Sequence, residues 1–153
     1  MRVRRARAED RESIVRLWRE MWDFHTPLDG RFRATPRANQ VMSEWIEENL
    51  ASDRSSLFVA EEDDRELAGY CLAMILENPP VVPWPFYGYI SEIAVHARRR
   101  GIGGKLLAAA HDWFRERSVP YVEVNVSVQN PVARSFWRKQ GYGEFLERLR
   151  REL

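Results

Sequence analysis

The spacing of apolar residues changes several times along the chain, and the changes mark the elements. Residues 119–128 alternate strictly: Val122, Val124, Val126 and Val128 share one face, and Glu123, Asn125 and Ser127 the other. That period of two predicts a strand. Residues 90–95 are apolar on both faces, with Tyr89, Ile93 and Val95 set against Ile90 and Ala94. Two apolar faces predict a central strand covered on both sides. Residues 55–60 and 66–76 read as two strands joined by a charged turn, an antiparallel hairpin. Residues 1–8 predict a short edge strand with arginines on its exposed face. Elsewhere the period is helical. Ile14, Leu17, Trp18 and Met21 stripe a helix over residues 9–24, with Asp10 as its N-cap. Ala38, Val41, Met42, Trp45, Ile46 and Leu50 stripe a second, with Thr35 as cap and Pro36 at its first position. Ile102, Leu106, Leu107 and Ala110 mark a third over about residues 101–117. A fourth helix is expected over residues 131–139, and a last strand from about residue 142 to 149. Residues 25–36 read as a loop. Residues 78–88 carry four prolines and read as a stiffened connection or an edge.

A chain of 153 residues with no repeat and no low-complexity linker is expected to form one domain over residues 1–153. Its 44% hydrophobic and 31% charged residues exclude a disordered or membrane-spanning class. The net charge of +1 removes any global reason to expect nucleic acid or an acidic membrane as partner, despite Arg2, Arg4, Arg5 and Arg7. A single cysteine, Cys71, excludes an internal disulfide, suits a reducing cytoplasm and falls in an apolar run that would bury it. The start of the chain has no apolar core of a secretory signal. No metal-ligand spacing stands out, so no metal is expected.

The basic charge is local. Arg98, Arg99 and Arg100 follow the central strand, and Gly101-Ile-Gly103-Gly104-Lys105 opens the third helix. A helix N-terminus with free N–H groups, no Cβ atoms in the way and arginines beside it is an anion site. A ligand carrying phosphate is expected. A P-loop requires Ser or Thr after Gly-Lys, and here Leu106 follows. The dinucleotide fingerprint requires a third glycine, and again Leu106 stands there. What remains, Arg98-x-x-Gly101-x-Gly103, resembles the pyrophosphate loop of the GNAT-type N-acetyltransferases. A second stretch, Asn130-Pro-Val-Ala133-Arg-Ser-Phe136-Trp137-Arg-Lys-Gln-Gly141-Tyr142, resembles the same family at five of six pattern positions. Trp137 departs, standing where tyrosine is usual. The two motifs come in the family order, and the resemblance spans residues 86–145.

The resemblance implies an α+β layered fold: a mixed, mostly antiparallel central sheet flanked by helices, in the order β-α-α-β-β-β-α-β-α-β. It implies acetyl-CoA as the acetyl donor. Its pantetheine arm would lie along the main chain of Ile93, Ala94 and Val95, and its pyrophosphate on Arg98, Arg99, Arg100, Gly101, Ile102, Gly103, Gly104 and Lys105. Asn130, Ala133, Phe136 and Trp137 would complete that side. The backbone N–H of Val95 would stabilise the oxyanion. Val95 precedes Gly101 by six residues, about two fewer than the family usually shows, so Ile93 is an alternative in that role.

Acetyl transfer to an amine needs a base. Glu92, on the central strand, is the candidate, because partial burial would raise its pKa toward the working range. A salt bridge to a nearby arginine is its structural alternative. An indole N–H is not an acid, so Trp137 removes the usual tyrosine acid from its place. Trp22, His25, Glu123 and Asn125 are candidates to touch the acceptor, taken to be a primary amine of a small molecule or a peptide. The expected function is an acetyl-CoA-dependent N-acetyltransferase by direct transfer. The alternative is a catalytically silent acetyl-CoA-binding sensor or interaction module. The resemblance also implies a possible homodimer.

Overall fold

The computed structural model describes residues 1–96 and 101–153. Five strands, β1 (Arg2–Arg5), β2 (Ser55–Glu61), β3 (Leu67–Glu77), β4 (Phe86–Val95) and β5 (Val122–Val124), form one sheet in sequence order. The first three pairings are antiparallel, and β4 and β5 run parallel. Four helices cover it: α1 (Arg11–Leu28), α2 (Ala38–Ala51), α3 (Ile102–Glu116) and α4 (Pro131–Lys139). The strand period of two sends alternate residues to two cores. Leu57, Val59, Tyr70 and Leu72 pack with Ile14, Leu17 and Trp18 of α1 and Met42 and Ile46 of α2. Phe58, Cys71 and Ala73 pack with Leu106, Leu107, Trp113 and Phe114 of α3 and Trp137 of α4. The result is the expected helix–sheet–helix layering around a mostly antiparallel sheet.

The structure departs from the periodicity in several places. Ile90 and Ala94 do not share a face. The β3–β4 register passes from Leu72↔Glu92 to Ala73↔Ile90, leaving Ser91 as an extra residue. Such a bulge inverts the side-chain alternation beyond it. Ile90, Ile93 and Val95 therefore lie on the α3 side and Ala94 on the other. β5 has three residues rather than ten, because its parallel ladder with β4 ends at Ile90↔Val124, where the bulge turns β4 away. Among the described residues no strand follows α4. Phe145, Leu146, Leu149 and Leu153 are exposed, and their spacing does not alternate, so it specifies no strand face.

The N-terminal half differs in its caps. α1 continues four residues beyond Phe24 through Pro27. A proline in the last turn removes only one N–H, and Phe32 packs on Trp22 and His25 to hold that turn. Asp10 holds the N-cap position of α1, but its side chain makes no capping bond to the helix. Its carboxylate accepts from the Arg7 N–H at 2.7 Å and from the Arg4 guanidinium at 2.7 and 2.9 Å. Arg4 also pairs with Glu61, which makes it a partly buried structural ion and not part of an exposed basic face. At α2, Pro36 and Arg37 form a turn, closed by the Ala38 N–H on the Thr35 carbonyl, before the helix begins.

Candidate active site

The site grows from the end of β4. The His96 N–H bonds the Ala68 carbonyl. Main-chain groups alternate along a strand, so those of Ala94 face β3, and those of Ile93 and Val95 face away from it. On that far side β5 has already stopped. The N–H and C=O of Ile93 and Val95 thus line an open sheet edge, which an extended ligand can complete as an added strand. Ala94 contributes a buried side chain instead.

The open edge leads to the N-terminus of α3. Gly101 is the N-cap at φ +82°, a left-handed conformation that disfavours any residue with a Cβ. The helix has no side-chain cap and no acidic residue in its first turn. The leading amides are therefore available to an anion. Ile102 is buried in the α3 core, so only its main chain can serve. Gly103 has a packing reason: a Cβ there would lie 3.3 Å from two atoms of the Phe136 ring. Phe136 and Ala133 of α4 pack against the same core. Lys105 is exposed. Arg98, Arg99 and Arg100 lie outside the described residues.

On the other face of the sheet, Glu92 borders an open cavity of about 310 Å³ beneath α1 and α2. Trp18 and Trp22 of α1, Val41, Met42 and Trp45 of α2, and Arg33 of the loop between them line it. Burial raises the Glu92 pKa to about 7, against the opposing effect of the Tyr70 hydroxyl, which donates to its carboxylate at 3.0 Å. Tyr70 is fully buried, and burial keeps its phenol protonated far into alkaline conditions. Glu92 makes no salt bridge among the described residues, which removes the ion-pair alternative there. A second open cavity of about 380 Å³ lies at the far end of β4, between Arg54, Phe86 and Arg117. It has no carboxylate in its lining and lies away from the open edge.

Other sequence candidates are placed differently. Trp22 lines the cavity, and its indole N–H is buried without an acceptor. His25 does not line the cavity. Its Nδ1 meets the Met21 carbonyl of its own helix at 2.8 Å and its Nε2 meets Asn130 Nδ2 at 3.1 Å, so both ring nitrogens are engaged, the second tying α1 to the start of α4. Asn130 caps α4 by accepting from the Ala133 N–H at 3.0 Å. Asn125 donates to the Tyr89 hydroxyl at 3.0 Å across the gap between the strands, and Glu123 is the register partner of Tyr89. Trp137 is a core residue, 6% exposed, packed edge-on against Phe136 and Tyr142. The Tyr142 hydroxyl is bonded to His111 Nε2 at 2.7 Å, and burial raises its pKa far above the ordinary phenol value.

A sequence model of the acetyltransferase (GNAT) family matches residues 13–142. The chain belongs to the GNAT acetyltransferase family. Among curated relatives, the uncharacterized N-acetyltransferase YhfO of Bacillus subtilis (strain 168) is 24% identical over 146 residues, covering 94% of this chain and 91% of YhfO. A mutant of the BH1408 protein from Bacillus halodurans superposes with a TM-score of 0.90 at 20% identity, over 100% of this chain and 99% of that one. A predicted acetyltransferase from Clostridium acetobutylicum, solved with acetyl-CoA, has a TM-score of 0.79 at 17% identity, over 99% and 95%. The aminoglycoside 6′-N-acetyltransferase AAC(6′)-IG of Acinetobacter haemolyticus has a TM-score of 0.78 at 15% identity, over 100% and 98%.

Two groups of the candidate site carry no signal in the sequence. Tyr70 is one of many apolar-strand residues in sequence, and only the Tyr70↔Ala94 register brings its hydroxyl to Glu92. Arg33 sits among loop arginines, and nothing in its neighbours distinguishes it. Among the described residues no helix is long and apolar enough to cross a membrane, and no group of three acidic, histidine or cysteine side chains is placed to hold a metal.

Proposed function

We propose that this GNAT protein transfers the acetyl group of acetyl-CoA directly to a primary amine, with Glu92 as general base. The observation that carries the reading is the placement of Glu92. It borders the acceptor cavity on one face of β4, while the unpaired main chain of Ile93 and Val95 runs on toward the uncapped start of α3. Donor and acceptor thus have separate approaches that meet at one strand.

The residues present fit acetyl-CoA. Ile93 and Val95 offer main-chain groups to its amides, and the amides of residues 101–104 offer an anion site for its pyrophosphate. When bound, the cofactor supplies an activated acetyl thioester. The N–H of Val95 or Ile93 then stands as the donor to the developing oxyanion. Glu92 takes the proton that the attacking ammonium must lose. With a pKa of about 7 it is substantially ionised at neutral pH and still basic enough for that transfer. Trp137, buried in the core, takes no part in proton transfer.

The acceptor is a small molecule or a peptide end that enters between α1 and α2. AAC(6′)-IG and similar neighbours are named for aminoglycosides, which are polycations. The cavity here offers one carboxylate and one arginine in its lining, which suits an amine of lower positive charge. A homodimer is part of this reading, supported by the exposed apolar side chains of the C-terminal segment. No nucleic acid is part of it: Arg2, Arg4 and Arg7 are each paired with acidic side chains.

Two measurements test the reading. Calorimetry with CoA should show binding that Arg98→Ala weakens by roughly 1–3 kcal/mol, the range for a charge-assisted contact. Release of free CoA across a panel of primary amines should then exceed release without amine. Binding without amine-dependent release would identify a cofactor-binding module instead.

A further inference from the structure

The acceptor cavity has a chemistry more specific than its role. Its wall is aromatic: Trp18 and Trp22 are tilted together with ring centroids 5.5 Å apart, and Trp45 closes the α2 side while 37% exposed. Its two ionisable lining groups have opposite charge. Glu92 contributes the carboxylate and Arg33 the guanidinium. They are not paired with each other, and among the described residues neither has any other ion-pair partner. Among the described residues the Arg33 guanidinium is held only through its Nε–H, on the Gly30 carbonyl at 3.0 Å, which leaves its two terminal nitrogens to donate elsewhere. The buried Trp22 indole N–H is a further donor on the same wall with no acceptor.

An unpaired anion and an unpaired cation on one aromatic cavity are the complement of a zwitterion with an apolar body. A lone hydrophobic amine would leave Arg33 and the indole N–H without partners, and a polycation would face Arg33 as a like charge. We propose that the acceptor is an amino carboxylate with an aromatic or bulky apolar side chain, its amine directed to Glu92 and its carboxylate to Arg33. The guanidinium fork matches a carboxylate in two hydrogen bonds, a geometry that lysine or a neutral donor does not reproduce. The side chain lies against the tryptophans, where area and stacking favour rings. This inference rests on the amine-acetylation reading above and narrows it.

The test uses matched acceptors that differ by one carboxylate: phenylalanine against phenethylamine, with spermidine as the polycation. CoA release should give phenylalanine a kcat/KM at least about tenfold above phenethylamine, mainly through KM, the scale of one charge-assisted pair. In Arg33→Gln that ratio should fall toward one. In Arg37→Gln, whose side chain lies outside the cavity lining, it should persist. Quenching of tryptophan fluorescence by the same two ligands in the presence of CoA reads the preference without turnover. Arg33-dependent binding of phenylalanine with no CoA release would overturn the acetylation reading and leave the cavity as an amino-carboxylate binding site. Turnover with a ratio near one, a ratio unchanged in Arg33→Gln, or spermidine as the best acceptor would overturn the inference alone.

Discussion

Glu92→Gln should make the protein more stable and nearly inactive, with the stabilisation largest at neutral and alkaline pH. The folded chain holds the Glu92 carboxyl at about 7, because burial penalises its charge, against an ordinary value of 4.5. Between those two values the folded state binds a proton that the unfolded state has released. Stability therefore falls as pH rises from about 4.5 to about 7 and is flat above. At 1.36 kcal/mol per pH unit, the cost of the ionised side chain at pH 8 is about 3 kcal/mol. Glutamine keeps the shape and an oxygen that accepts from Tyr70, but carries no charge to desolvate. For a domain of this size that energy corresponds to a melting temperature raised by roughly 6–12 °C at pH 8, and by only about 2–3 °C at pH 5, where about 0.8 kcal/mol of the cost has accumulated. In the same variant kcat should fall about 10²-fold, with CoA affinity held. Thermal melts of both proteins across pH 5 to 8, alongside CoA-release assays, provide the comparison. A melting difference that is the same at both ends of that range, or a variant less stable at pH 8, would refute the account of Glu92 as a buried and costly charge.

Tyr70→Phe removes the hydroxyl that favours the ionised form of Glu92. At about 1.5–3 kcal/mol for a hydrogen bond to a charged group, the midpoint of the rising kcat/KM profile should move up by about 1–2 pH units. A midpoint that stays near 7 or moves down would show that Tyr70 does not tune the base. Trp137→Phe should leave that profile unchanged, with no alkaline fall in either protein, while Trp137→Ala should lose about 3–5 kcal/mol in denaturant unfolding as a core truncation. Gly103→Val should lower both CoA affinity and melting temperature, because its side chain meets the Phe136 ring and pushes α4 from the start of α3; a variant as stable as the parent would contradict that packing.

The sequence by itself determined the elements and their family. Apolar patterns located β4, α1, α2 and α3, because each face that must be buried carries its own apolar stripe, and a charged turn marked the β2–β3 hairpin. The loop at Gly101 and Gly103 and the pattern from Asn130 to Tyr142 marked the family and pointed to the proposed cofactor side, since a tight turn and a helix start need particular residues at fixed local spacing. The choice of Glu92 followed from its place on a central strand. Only the tertiary structure decided what each side chain faces. One extra residue at Ser91 inverted the faces of β4, stopped β5 short and opened the strand edge at Ile93 and Val95. A bulge is a property of the pairing between strands and leaves no periodic mark in either one. The same holds for the groups brought to Glu92. Tyr70 lies 22 positions away and Arg33 much farther, and their meeting is set by strand register and by the packing of α1 and α2. His25, Asn130 and Trp137 show the reverse. Residue types that suit catalysis or binding were taken up by a helix tether, a cap and a core, because a polar or aromatic side chain is spent on whatever partner the fold places within reach.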